Sequence, residues 1–202
     1  MAFVCLDGID GAGKSTQLAR LAAWLQGAGV EVTTCRDPGS TAIGDALRKI
    51  LLESKEQIAP RTEMFLYMTA RAQLVSEVIR PAMAAGRWVL CDRFLLANVV
   101  YQGHAGGLSP QLLWEVGEAA VEGVHPDCYY VLDLPAEIAF SRLKRGLDRM
   151  EQRGEAYMEK VRQGFLIEAK RQGGRIEVVD ANRGEEEIFE DLKARFTKRL
   201  QS

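Results

Sequence analysis

Five short apolar runs, at 2–6, 30–35, 87–91, 128–134 and 175–179, are separated by stretches whose apolar positions recur every three or four residues. The runs read as buried strands, and the stretches as helices that pack by one face. The first helical stretch carries Leu18, Leu21, Ala22 and Leu25 on one side, and the last carries Phe189, Leu192, Phe196 and Leu200. Between them the spacing predicts helices over 43–52, over about 61–85 with an interruption near Pro81, and over 110–122, 136–143 and 155–172. A mixed helical region holds Tyr101, Gln102 and Gly103. Strands that alternate with helices pair in parallel through right-handed crossovers. The expected fold is therefore α/β: a three-layer sandwich of a five-stranded parallel sheet with helices on both faces. Ligands on such sheets bind beyond the carboxyl ends of the strands. The first run ends in a glycine-rich turn, the second in Arg36-Asp37, the third in Asp92-Arg93 and the fourth in Asp133. Charged residues at each of these ends predict one site there.

The glycine turn sharpens that site. Gly8-Ile9-Asp10-Gly11-Ala12-Gly13-Lys14-Ser15 matches G-x-x-x-x-G-K-[ST] between a strand and a helix, the setting in which this motif cradles phosphate. Backbone N–H groups of the loop and the helix N-terminus attract phosphate oxygens. ATP is expected on Gly8, Ile9, Asp10, Gly11, Ala12, Gly13, Lys14, Ser15 and Thr16, with Lys14 on the outer phosphates and Ser15 on Mg²⁺. The fold is thus predicted as a P-loop sandwich. Asp92, closing an apolar strand, is the expected second Mg²⁺ residue, although an aspartate there also suits a helix cap.

Composition narrows the partners. The chain has 202 residues, ordinary apolar and charged fractions, and a net charge of −2. One domain over 1–202 is expected, with no general attraction to nucleic acid. Cys5, Cys35, Cys91 and Cys128 form no C-x-x-C pair and fall in or beside apolar runs, which predicts buried free thiols. The two histidines, His104 and His125, stand at no zinc-ligand spacing from them. No run approaches a membrane span or a signal peptide, so a cytoplasmic protein is expected.

Phosphoryl transfer is mostly positioning and charge compensation, and the variable positions of the glycine turn contain no arginine. Arg93 is one cation that could bridge two phosphates. The basic stretch at about 142–153, with Arg142, Lys144, Arg145, Arg149 and Arg153 around Gly146, reads as a lid that brings others, or as a solvated helix surface. A flat acceptor needs a flat partner. Tyr67 and Arg71 stand four apart on one helix face, where a ring could stack on a base and a guanidinium could donate to its carbonyl. Tyr67 alone suits a core and Arg71 alone a surface. Asp10 could accept from a sugar hydroxyl, with Tyr101 as a wall and Gln102 as a reader of base edges.

With these residues in order, the chain resembles the thymidylate kinase family. The likeness covers D-G-x-D-G-A-G-K-S-T at 7–16, R-D-P-G-S-T at 36–41, A-R-A-Q-L-V at 70–75, D-R-F at 92–94, Y-Q-G at 101–103, H-P-D at 125–127 and L-D-R-M-E-Q at 147–152. The resemblance implies ATP-dependent phosphorylation of dTMP, Mg²⁺ dependence and a homodimer. It implies that Asp10 contacts the 3′-hydroxyl, Tyr67 stacks on thymine, Arg71 reads the base, Arg48 and Arg93 hold the acceptor phosphate, and Tyr101 crowds the 2′ position. Asp37, Gln102 and the others complete an expected dTMP site of Asp10, Asp37, Arg48, Tyr67, Arg71, Arg93, Tyr101 and Gln102. The expected catalytic set is Lys14, Arg93, Asp10, Arg145 and Arg149; lid-borne basic residues resemble the bacterial branch. Three places depart from the family: Asp37-Pro38-Gly39-Ser40-Thr41 for Glu-Pro-Gly-Gly-Thr, Ala97 for a serine and Gly106 for an arginine. Other readings are a kinase of a different nucleoside monophosphate, a GTPase-like switch, or a non-catalytic binding relative. The switch lacks an N-K-x-D guanine reader, and intact Lys14, Ser15, Asp92 and Arg93 weigh against the last.

Overall fold

The computed structural model describes residues 1–143 and 148–200, the side chains of the last two of these excepted. Five parallel strands, β1 (Phe3–Asp7), β2 (Val32–Arg36), β3 (Trp88–Asp92), β4 (Cys128–Asp133) and β5 (Ile176–Asp180), lie in the order β2-β3-β1-β4-β5. The sheet order changes direction beside β1, which opens a crevice beyond its carboxyl end. The expected α/β sheet is therefore the observed one.

Register explains which side chains meet. Val4, Leu90 and Cys128 stand abreast, as do Leu6, Asp92 and Tyr130, so residues of one row share a face. On that face Tyr130 and Trp88 stack on Phe196 of α9 (Glu185–Leu200), and α9 packs on α1 (Lys14–Gly27). On the other face Phe3 meets Phe94 edge-on. Each aromatic or aliphatic side chain fully buried in these layers contributes about 1.5–3 kcal/mol.

α2 (Ala42–Glu53) packs against α3 (Pro60–Leu74). The predicted break near Pro81 is a wide π turn over Val75–Ile79 that leads into α4 (Arg80–Ala84). The wider turn lies just before Pro81, which has no N–H to donate to the preceding turn. The mixed region resolves as α5 (Leu95–Asn98) and a π-helical Val99–His104. α6 (Pro110–Val121), α7 (Ala136–Arg142) and α8 (Glu155–Gln172) follow the predicted spans closely. The H-P-D segment is structural: Asp127 accepts from the Phe3 N–H at 2.8 Å and ties the start of β4 to β1. All four cysteines are buried and free, and burial pushes the Cys5 thiol up to about 12. Among the described residues no helix is long and apolar enough to cross a membrane.

Candidate active site

The glycine turn joins β1 to α1. Gly8 has φ 127° and Gly11 φ 85°; a Cβ at either would meet the backbone oxygen of Leu132 at 2.5 Å or of Ala139 at 2.3 Å. The loop therefore rests directly on β4 and α7. α1 starts with neither a side-chain cap nor an acidic residue in its first turn, so its opening N–H groups are left for an anion. Lys14 is buried; its Nζ donates to the Ile9 carbonyl at 2.8 Å and lies 3.9 Å from Asp10 Oδ1. Burial and the nearby Arg93 lower its pKa, while Asp10, Asp92 and Asp7 oppose them. A cleft of about 360 Å³ opens over Asp10, Gly11, Gly13, Lys14, Ser15 and Thr16. Of the predicted ATP set, Ile9 and Ala12 bury their side chains in the core, and Gly8 turns its carbonyl to Arg93.

Ser15 Oγ donates to Asp92 Oδ2 at 2.7 Å, and Asp92 Oδ1 is buried without a hydrogen-bond partner. A hydroxyl and a carboxylate with a spare oxygen are oxygen donors suited to a hard dication that completes its shell from phosphate and water. Among the described residues no group of three or more His, Cys, Asp or Glu could hold a metal. The Ser15–Asp92 donor set fits Mg²⁺ carried with a nucleotide.

A second pocket adjoins the cleft. Tyr67 and Arg71 line it from α3, Ala97 and Asn98 from α5, Tyr101 and Gln102 from the π-helical turn. Asp10, Asp37, Arg48 and Arg93 line both chambers. Two substrates seated in the two chambers would meet at these four side chains. Arg93 has a left-handed backbone (φ 66°), uncommon for a residue with a side chain. Its Nη2 donates to Asp10 Oδ1 at 2.8 Å and to the Tyr101 hydroxyl at 3.2 Å. Burial would lower its pKa, but Asp10, Tyr101 and Asp92 hold it well above the usual value. Arg48 donates to the Pro38 carbonyl at 3.0 Å, and burial together with Arg36 and Arg93 lowers its pKa.

A family model described as thymidylate kinase matches residues 6–192. The chain belongs to the thymidylate kinase family. It is similar to a protein named thymidylate kinase from Rhodopirellula baltica, 48% identical over 95% of this chain and 78% of that one. It is also similar to one from Thermosipho africanus, 37% identical over 99% of this chain and 100% of the relative. The crystal structure of thymidylate kinase from Ehrlichia chaffeensis shares the fold, with a TM-score of 0.80 at 24% identity over 96% of this chain and 98% of that chain.

Within this thymidylate kinase fold the predicted residues divide. Tyr67, Arg71, Asp37, Arg48, Arg93, Asp10, Tyr101 and Gln102 all reach the second pocket. Arg71 is no surface residue: it is 1% exposed, its Nε donates to Asp37 Oδ2 at 2.6 Å and its Nη1 to Asn98 Oδ1 at 3.2 Å. Asp133 does not join the common site. Arg162 of α8 grips both its oxygens, at 2.7 and 3.0 Å. The basic stretch also splits. Arg142 lines the phosphate cleft, whereas Arg149 donates to Leu51 O at 2.6 Å and pairs with Glu63 away from that cleft. Arg145 lies outside the described residues. Sequence reasoning missed Asn98, Met150 and Glu63. For Asn98 the signal was its place one helical turn before Gln102, to which it donates at 2.6 Å. Of the three departures from the family pattern, Ala97 and Asp37 line the pocket, and Gly106 packs tightly behind it.

Proposed function

We infer that this protein transfers the terminal phosphoryl group of ATP to dTMP, giving dTDP and ADP. The observation that carries the reading is the pair of chambers meeting at Asp10, Asp37, Arg48 and Arg93, one over the phosphate loop and one walled by Tyr67, Arg71 and Tyr101. The attacking oxygen belongs to a phosphate whose second pKa is about 6, so it is already ionised at neutral pH. No general base is required; the need is to bring two anions together.

In this reading Gly11, Gly13, Lys14, Ser15 and Thr16 seat the ATP phosphates. Ser15 and Asp92 hold Mg²⁺, which when bound offsets charge on the outer phosphates. Arg93 and Arg48 grip the acceptor phosphate at the shared wall, and Arg93 also fixes Asp10, whose carboxylate accepts from the sugar 3′-hydroxyl. Tyr101 is held by its hydroxyl on Asp10 and Arg93 and by edge contacts to Tyr157 and Phe165, so it stands as a rigid wall at the 2′ position. Tyr67 stacks on the base, and Arg71 with Gln102 reads its edge. Arg145, from the lid proposed at about 142–153, supplies the further cation, while Arg149 stays on Glu63 and Leu51 O and holds that stretch beside α2 and α3, within one kinase domain over 1–202.

The partner is a second copy of the chain, in the cytoplasm. Ile43, Ile50 and Phe65 are the large apolar side chains left exposed on the packed pair α2 and α3, and Ile43 and Ile50 lie two turns apart on one stripe. Such a patch suits a self-complementary interface.

The test is ADP release from Mg·ATP with dTMP, dUMP, UMP, dCMP and dGMP. Strong turnover with dTMP over the others is expected. Equal rates across the panel would mean that the departures at Ala97 and Gly106 have remade the acceptor site so that it no longer selects thymine, and no turnover with any would remove the reading of the second pocket as a nucleotide acceptor site.

A further inference from the structure

Glu63, in the first turn of α3, is 1% exposed, yet it is a carboxylate. A buried charge costs several kcal/mol unless it is paired and hydrogen-bonded. Its partners come from two directions. Gln102 Nε2 donates to Oε1 at 2.8 Å. Arg149 Nη2 donates to Oε2, and Arg153 Nη2 reaches Oε2 at 3.1 Å and Oε1 at 3.3 Å.

The Gln102 side belongs to a directed chain. Arg71 donates to Asn98 Oδ1, Asn98 Nδ2 donates to Gln102 Oε1 at 2.6 Å, and Gln102 Nε2 donates to Glu63. A guanidinium can only donate and a carboxylate only accept, so the two charged ends set the direction of both amides. Glu63 and Arg71 thus hold Gln102 and Asn98 in one orientation from opposite ends of the chain.

The arginine side holds residues 148–153. Arg142 and Leu143 line the phosphate cleft, and Asp148 and Met150 line the acceptor pocket. Arg149 and Arg153 fasten this stretch, with Arg149 also bonded to Leu51 O of α2. One carboxylate thus joins the base wall to residues 148–153.

We propose that Glu63 is a positioning residue that sets the Gln102 amide and docks residues 148–153, so that acceptor recognition and phosphoryl transfer share one anchor. This rests on the reading of the second pocket as the acceptor site. The informative variant is Glu63→Gln. Its carbonyl oxygen still accepts from Gln102, but its amide N–H groups would face two guanidinium groups, donor against donor.

Hydrogen exchange of the amides of 148–154, read in the whole protein without substrates, is expected to speed up about tenfold or more in Glu63→Gln, with β1, β3 and β4 unchanged. With substrates, kcat should fall about 10- to 100-fold while the KM for dTMP moves about threefold or less, because misplacement penalises transfer more than binding. Gln102→Ala should do the opposite, raising KM with 148–154 exchange as in the parent. Unchanged exchange at 148–154 in Glu63→Gln overturns the proposal. So does faster exchange spread evenly over the sheet, which marks a general loss of stability. If the parent phosphorylates no nucleotide of the panel, the acceptor reading fails while the exchange result still decides the docking role.

Discussion

Arg71 Nε and Asp37 Oδ2 lie 2.6 Å apart with both side chains withdrawn from solvent, the one at the wall of the second pocket, the other shared with the phosphate-loop cleft. Burial pushes the Asp37 carboxyl up, and Arg71 and Arg48 pull it back. Removing one member of a buried pair strands the other charge, at a cost of about 3–5 kcal/mol. Asp37→Ala is therefore expected to lower the free energy of unfolding by that amount in urea titrations. Arg71→Ala should also raise the KM for dTMP far more than the KM for ATP. Equal shifts in both constants would show that Arg71 serves the fold alone.

Lys14 presents the opposite balance. Its ammonium is buried and its pKa is lowered by that burial, so the fold gains little from it. Lys14→Ala should leave the thermal midpoint close to that of the parent while kcat drops by at least about 100-fold, the scale of losing one donor at a developing charge. Near-normal turnover in a folded variant would remove the phosphate-loop role.

The strands, the phosphate loop and the pairing of Ser15 with Asp92 were legible because each is a local pattern: period, glycine spacing and a charge closing an apolar run. Tyr67 and Arg71 were legible as an i, i+4 pair. Their surroundings were not. The burial of Arg71 depends on Asp37, 34 residues away, and Glu63 reads as an ordinary first-turn acid until Gln102 and Arg149 are folded onto it. The basic stretch looked like one set of cations, but α2 and α3 capture Arg149 and Arg153 while Arg142 faces the phosphate cleft. Asp133 looked like a site residue because strand ends hold sites, and only the position of α8 assigns it to Arg162.

Asp7 makes a prediction about pH. Burial raises its carboxyl from 3.8 to about 7, with Arg93 and Lys14 opposing and Asp92 adding. Between those two values the native protein keeps a proton that the unfolded chain has released. Stability from this group is complete below about pH 4 and is lost as pH rises through about 7. Asp7→Asn cannot lose that proton. The urea midpoint of the variant minus that of the parent should grow from pH 4 to 7 and then level off. A difference that stays constant across the range would show that Asp7 is ionised in the native state throughout.

Tyr101 is fixed on four sides, by Asp10, Arg93, Tyr157 and Phe165. In the proposed reading, a wall that rigid would reject a ribose hydroxyl by overlap. Tyr101→Ala should reduce the preference for dTMP over its ribonucleotide counterpart by about tenfold, read as the ratio of kcat/KM values, the scale on which one added group is discriminated in a shaped pocket. An unchanged ratio would locate sugar selection elsewhere.

Gly106 is one of the departures from the resemblance, and the backbone around it leaves no space for a side chain. A Cβ there would lie 2.6 Å from the Gln102 carbonyl oxygen and 2.7 Å from that of Tyr101. Both neighbours are backbone atoms of the π-helical turn, and the Tyr101 carbonyl is already fixed by the Tyr157 hydroxyl at 2.7 Å. Relief must come from moving the turn that carries Tyr101 and Gln102. Gly106→Ala is therefore expected to raise the KM for dTMP several-fold while the KM for ATP stays put, since the phosphate loop lies on another element. Steady-state kinetics with each substrate varied in turn separates the two. If both constants match the parent, the turn yields without moving its side chains, and Gly106 has no part in shaping the acceptor pocket.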